Sequence, residues 1–109
     1  MILATTHQIP NKKIIETLGM VRGNTVRARW FGRDIMAGLK QIIGGEIESY
    51  TELLTQSREI VIERMVKEAE KLGADAIIGI NFTTSQVMTG AAELLVYGTA
   101  VKLEKLNTD

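Results

Sequence analysis

The alternation of apolar and polar residues predicts a first strand near the start of the chain. The run from Lys12 to Val21 alternates loosely and is rich in aliphatic residues, which is typical of a strand with apolar side chains on both faces. Ile14, Leu18 and Met20 are predicted to share one face of this strand. The pattern breaks between Arg22 and Arg33, where we expect a loop or an irregular extension of the strand.

Two helices are predicted in the middle of the chain. Asp34 can cap a short helix over residues 34–43, and Gly44-Gly45 can end it because glycine adopts left-handed backbone angles at little cost. Apolar residues then recur at helical spacing from Ile47 to Leu72, with charged residues on most of the opposite face. Gly73 ends this second helix, which at 1.5 Å per residue is roughly 40 Å long.

Two further strands are predicted in the last third of the chain. They run from Asp75 to Val87 and from Glu93 to Leu103, with a short glycine-containing hairpin connection between them. Strict alternation divides the first of these strands into two rows: Ala76, Ile78, Ile80 and Phe82 on one face, and Ile77, Gly79, Asn81 and Thr83 on the other.

Both faces of these strands carry apolar residues, although a single long helix covers only one face of a sheet. Uncovered apolar faces of this kind are typical of subunit interfaces, so the sequence predicts a protein that assembles with copies of itself. The alternative is that the short helix over residues 34–43 and the N-terminal segment cover the second face.

Composition narrows the class of protein. The chain has 109 residues, which predicts one domain over residues 1–109. Thirteen basic and thirteen acidic side chains cancel, so no overall field attracts nucleic acid or an anionic membrane. Cysteine is absent, which excludes disulfides, thiolate chemistry and sulfur-rich zinc sites. No signal-peptide pattern and no run of about 20 apolar residues is present, and we expect a cytoplasmic protein without a membrane partner.

Five short segments, in a fixed order, extend over nearly the whole chain. They are Arg33-Asp-Ile, Gly44-Gly-Glu, Tyr50-Thr-Glu-Leu-Leu, Gly73-Ala-Asp-Ala-Ile-Ile-Gly and Tyr97-Gly-Thr-Ala-Val. Together with the aliphatic strands, they resemble the YbjQ-like family of small, uncharacterised bacterial and archaeal proteins, which is often labelled heavy-metal-binding. The resemblance implies a dodecin-like α/β (α+β) subunit, in which one strand, a long helix and two further strands form an antiparallel sheet against the helix. It also implies a ring-shaped homopentamer that can pair into a decamer.

An arginine-rich segment is the first candidate binding site. Arg27, Arg29 and Arg33 lie beside Trp30, and guanidinium groups bind phosphate or carboxylate while an indole can stack on a flat ring. In a ring assembly this segment would be repeated around the axis and could bind a small ligand. The alternative is that these arginines pair with acids of a neighbouring subunit and Trp30 anchors the interface.

An acidic set is the second candidate site. Asp34 and Glu46, with Glu48 and Glu52 nearby in sequence, could offer oxygen ligands to magnesium, calcium or manganese. The alternative is that Asp34 and Glu46 lie at helix starts and satisfy free backbone amides. No metal ligands are assigned from sequence, and a divalent cation is the only cofactor that these residues suggest.

No segment places a nucleophile beside a base, and neither a Gly-x-Gly-x-x-Gly nor a Walker pattern is present. We therefore predict no catalytic residues, and we expect a homo-oligomeric ligand-binding or scaffold protein without catalytic activity. A divalent metal-binding protein is one alternative. The other is an enzyme whose composite site combines Asp34, Glu46, His7 and Arg29 from adjacent subunits.

Overall fold

The computed structural model describes residues 1–28, 46–88 and 91–105. Within these ranges, the chain forms four strands and one helix. The elements are β1 (Ile2–Leu3), β2 (Ile14–Ala28), α1 (Glu46–Lys71), β3 (Ala76–Met88) and β4 (Ala91–Leu103). The predicted order of strand, long helix, strand and strand is confirmed. The predicted short helix over residues 34–43 lies outside the described residues.

The four strands form one mixed sheet in the order β1-β3-β4-β2. The long strands β2, β4 and β3 are antiparallel neighbours. The pairing of β3 with β4 confirms the predicted hairpin, and the pairing of β2 with β4 agrees with the antiparallel sheet that the resemblance implies. β2 continues to Ala28, well beyond the predicted break at Arg22. The short strand β1 was not predicted, and it adds to the outer edge of β3 in the parallel direction, with Ile2 opposite Ala76.

The helix α1 packs on one face of the sheet, mainly over β2 and less over β4. We call this the helix-side face; its buried core includes Val21, Ile77 and Val96, which pack against Val61 and Met65 of α1. A second buried cluster lies on the opposite, outer face and consists of Ala76, Ile78, Val101 and Leu103. The sheet therefore carries apolar residues on both faces, as predicted, and Ile9 and Ile14 cover the outer cluster from within the chain, as the alternative expected of the N-terminal segment.

A bulge at Gly79 changes the predicted faces of β3. Gly79 has a φ of 62°, and the pairing with β4 shifts between Ile78 and Asn81. The extra residue places Ile80 in the helix-side core with Ile77, whereas Ile78 lies in the outer cluster. The prediction that Ala76, Ile78, Ile80 and Phe82 share one face was wrong, because a bulge interrupts the two-residue period of a strand.

Similar irregularities in β2 separate residues that were predicted to share one face. The pairing with β4 shifts between Ile14 and Glu16 and again between Thr17 and Gly19. As a result, Ile14 packs against the outer cluster while Leu18 packs against the helix-side core. The prediction of a common face for Ile14, Leu18 and Met20 was therefore wrong.

The N-terminal segment continues beside β3 after β1 ends. The amide of Ala4 donates to the carbonyl of Ile77 at 2.9 Å, and the amide of Gly79 donates to the carbonyl of Thr6 at 2.8 Å. These bonds bring His7 against the bulge, so that a Cβ added to Gly79 would lie 3.3 Å from the imidazole Cδ2. Residues 1–7 thus cover one part of the β3 edge.

Candidate functional site

The residues predicted to bind a ligand lie mostly outside the described part of the chain. Arg29, Trp30, Arg33 and Asp34 belong to residues 29–45, which the structure does not describe. The backbone of Arg27 belongs to β2, opposite Ala92 of β4, and Glu46 is the first residue of α1; the side chains of Arg27 and Glu46 are also outside the described set. Both predicted sites therefore stay predictions.

His7, a member of the predicted composite site, is exposed and packs its ring against the Gly79 bulge. Glu52 is exposed on the first half of α1. In residues 1–28, 46–88 and 91–105, no group of three histidine, cysteine or carboxylate side chains could hold a metal ion.

An apolar groove lies where α1 leaves the helix-side face uncovered. α1 packs over β2 and β4 and barely touches β3, so a concavity of about 170 Å³ remains between the helix and β3. It is lined by Leu3, Ile62, Met65, Ile80 and Phe82, among others. Phe82 remains 46% exposed there. The sequence alone did not reveal this groove, because the Gly79 bulge is what brings Ile80 and Phe82 to the helix-side face.

The outer face also exposes apolar side chains away from its buried cluster. Met20 is 66% exposed and Val26 is 51% exposed, and both alternate with the inward-facing Val21 along β2. Tyr97, opposite Arg22 in the register, is also exposed on β4. Both faces of the sheet thus combine a buried cluster with exposed apolar side chains.

The two long edges of the sheet differ in how their backbone groups are satisfied. On β2, the amide of Arg22 donates to the Glu68 carboxylate at 3.4 Å, and the carbonyl of Asn24 accepts from the Arg64 guanidinium at 2.6 Å. The last part of β3, residues 81–88, pairs only with β4 among the described residues. Charged side chains from α1 therefore block part of the β2 edge, while the distal β3 edge is open in the described structure.

A polar contact on the outer face links β2 to β4. The Asn24 amide donates to the Glu93 carboxylate at 3.0 Å, next to the exposed Val26 along the same strand. This bond fixes one carboxylate near the distal end of the sheet, where β2 leads into the arginine-rich segment.

No helix within the described ranges is both long and apolar enough to cross a membrane.

Other proteins are similar to this chain over nearly its whole length. A family model named YbjQ_1, whose description reads "Putative heavy-metal-binding", matches residues 1–104. A UPF0145 protein of Pseudothermotoga lettingae is 62% identical over 97% of this chain and 100% of its own length. UPF0145 proteins of Thermotoga maritima and Archaeoglobus fulgidus are 58% and 59% identical, over 97% and 94% of this chain and 100% and 95% of their own lengths.

A solved structure shares the fold at low sequence identity. It is a crystal structure of a protein with unknown function from the DUF74 family of Pediococcus pentosaceus. The match has a TM-score of 0.56 at 16% identity and covers 95% of this chain and 98% of the solved chain. At this identity the likeness concerns the fold alone.

Proposed function

This chain belongs to the YbjQ family, and we propose that it is the subunit of a homo-oligomer that binds a small ligand where subunits meet. The observation that carries this proposal is the pair of exposed apolar surfaces on the two sides of one sheet. Phe82 is an exposed apolar side chain in the helix-side groove, and Met20 is an exposed apolar side chain on the outer face. Contiguous exposed apolar surface is typical of sites where another protein binds.

The dimensions of the subunit support assembly. Its Cα radius of gyration is 17.8 Å, whereas a compact domain of this length has a radius of about 13 Å. The strands extend well past the core, and residues 81–88 of β3 are all exposed. An elongated sheet of this kind gains stability when a second copy covers its distal part, because the same exposed side chains then leave water.

The family resemblance favours a dodecin-like ring of five subunits, which can pair into ten. In a closed ring each subunit uses two different surfaces, one for each neighbour. This chain offers two such surfaces, the helix-side groove and the outer face. Side chains of α1 occupy backbone groups of the β2 edge at Arg22 and Asn24. The two faces and the distal β3 edge are therefore the surfaces left for contacts between subunits.

The preferred ligand site is the arginine-rich segment that follows β2. Arg27 lies near the end of β2, next to the exposed Val26, in the part of the sheet that a neighbouring subunit would cover. Arg29, Trp30 and Arg33 follow it directly in sequence. Guanidinium groups recognise carboxylate or phosphate, so an anionic ligand with a flat ring suits this set.

Native mass spectrometry of gently purified protein tests the proposal. We expect a multimer of five or ten subunits that retains additional mass, and we expect the additional mass to be lost in Arg27→Ala/Arg29→Ala. The matched control is Arg58→Ala, which removes an exposed arginine from α1. A monomer at micromolar concentration contradicts the assembly. A multimer that retains no additional mass contradicts ligand binding and favours a scaffold protein.

A second candidate function is divalent metal binding, which the family description favours. The chain has no cysteine and one histidine, so carboxylates are the main donors available and hard cations are the metals that fit them. Asp34 and Glu46 are the proposed ligands, completed by groups from a neighbouring subunit.

A thermal unfolding panel with magnesium, calcium, manganese and zinc tests the metal proposal. A ligand at 100 times its Kd stabilises the folded state by about 2.7 kcal/mol, which raises the melting temperature measurably. Asp34→Asn/Glu46→Gln should abolish the rise, whereas Glu63→Gln should leave it unchanged. An unchanged melting temperature with every cation contradicts metal binding.

A further inference from the structure

A concavity larger than the helix-side groove lies near Ile14, at the opposite end of β2 from Arg27. Its volume is about 810 Å³, within the range of roughly 300–1,000 Å³ that is usual for small-molecule sites. It is formed by the segment between β1 and β2, with lining residues that include Thr6, Gln8, Ile9, Lys12, Lys13 and Ile14. Since Ile14 begins β2 and Arg27 lies near its end, the two regions are roughly 40 Å apart at 3.3 Å per residue.

The floor of this concavity is apolar and is held by the core. Ile9 and Ile14 pack against the outer cluster, which includes the fully buried Ala76 and Val101. Both isoleucines remain partly exposed toward the concavity. An apolar group bound there would be removed from water and would lie against a surface that is already formed.

The backbone that carries the two lysines is fixed on both sides. The amide of Lys12 donates to the carbonyl of Ile9 at 3.1 Å, and Asn11 has a φ of 65°. With Pro10 at the preceding position, this is the pattern of a type II turn. The carbonyl of Lys13 then accepts from the amide of Glu104 at 2.8 Å, which ties the segment to the end of β4.

Two lysines line the site, and neither forms an ion pair with a carboxylate among the described residues. Glu104, whose backbone amide donates to the Lys13 carbonyl, is an acidic residue tied to the same segment. Lys12 and Lys13 are exposed, and the ion pair found among the described residues joins Lys67 to Glu63 on α1 instead. On the rim, the Thr6 hydroxyl donates its proton to the carbonyl of Gln8 at 2.6 Å, so the lysines are left as the donors for an anion. Two consecutive lysines thus line a concavity that has an apolar floor.

We infer that this concavity binds a small amphiphilic anion. The carboxylate or phosphate group of the ligand contacts Lys12 and Lys13 through charge-assisted hydrogen bonds. The apolar part lies on Ile9 and Ile14. This site uses none of the arginines proposed above as a ligand site, so its presence or absence does not depend on the ligand proposed there.

Isothermal titration calorimetry on the full chain, in its native assembly, tests this inference with octanoate and octyl phosphate. We expect saturable binding of one molecule per chain for at least one of them, and the preferred probe distinguishes a carboxylate from a phosphate ligand. Acetate lacks the apolar part and 1-octanol lacks the charge, so each should bind at least tenfold more weakly.

The variant Lys12→Gln/Lys13→Gln should weaken binding at least tenfold while keeping the melting temperature, because both side chains are exposed. The matched control Lys67→Gln/Lys71→Gln removes two exposed lysines from α1 and should bind as the wild type does. The inference is overturned by the absence of saturable binding for both anions. The inference is also overturned if octanol and octanoate bind with the same affinity, or if the two double variants weaken octanoate or octyl phosphate binding to the same extent.

Discussion

Gly23 of β2 lies directly against the carbonyl oxygen of Val61 in α1, so closely that a Cβ on Gly23 would overlap this oxygen. The same Cβ would lie 2.8 Å from the amide nitrogen of Met65. Because all these neighbouring atoms belong to the helix backbone, no change of rotamer can relieve the overlap. The absence of a side chain at Gly23 therefore sets the distance between α1 and the sheet.

Gly23→Ala should lower the free energy of unfolding by about 3 kcal/mol, the upper part of the usual cost of overpacking, since α1 must move away from β2. Denaturant unfolding at a fixed protein concentration measures the change. Thr25→Ala, two residues along the same face of β2, provides the control and should cost less than about 1 kcal/mol. Equal costs for the two variants would contradict the close approach of helix and sheet.

Gly79→Ala should also destabilise the protein, but for a different reason. Its φ of 62° is a left-handed conformation that costs an L-residue about 1–2 kcal/mol, and the added Cβ would also press on His7. Comparing Gly79→Ala in the wild type and in a His7→Ala background separates the two causes. We expect the cost to fall only in part in the His7→Ala background; complete recovery would contradict the backbone contribution.

Phe82→Asp should weaken subunit association at least tenfold, if the helix-side groove belongs to an interface. Burying a phenylalanine contributes about 1.5–3 kcal/mol, and the substituted carboxylate adds a desolvation cost. Light scattering across a dilution series measures the shift toward smaller species. Leu72→Asp is the control, because Leu72 is also 46% exposed but lies just after the end of α1, outside the groove. An assembly unchanged by Phe82→Asp contradicts the use of this groove.

Arg64→Ala should reduce stability by about 1 kcal/mol and increase self-association. It removes the hydrogen bond to the Asn24 carbonyl and opens part of the β2 edge, and open edges pair readily with other chains. Thermal unfolding and turbidity measure the two effects. Arg58→Ala, on the same helix, should change neither; if it aggregates equally, general loss of charge explains the result.

The candidate sites were less predictable than the fold, for reasons that particular residues show. The long helix and the hairpin of β3 and β4 follow from local periodicity, and both are confirmed. The concavity at Lys12 and Lys13 combines residues of one segment with a floor held by β3 and β4, so its lysines look like ordinary exposed residues in the sequence. The groove at Phe82 depends on the Gly79 bulge, which adds one residue to a pattern that otherwise alternates.

The sequence by itself determined the order of the main elements, the two-sided apolar character of the strands and the membership of the family. These properties follow from local periodicity, composition and residue identity along nearly the whole chain. Only the tertiary structure decided the order β1-β3-β4-β2, the parallel pairing of β1 and the position of α1 over β2 and β4. Such choices depend on contacts between residues far apart in sequence, such as Gly23 with Val61, and local patterns do not specify which distant backbones can approach.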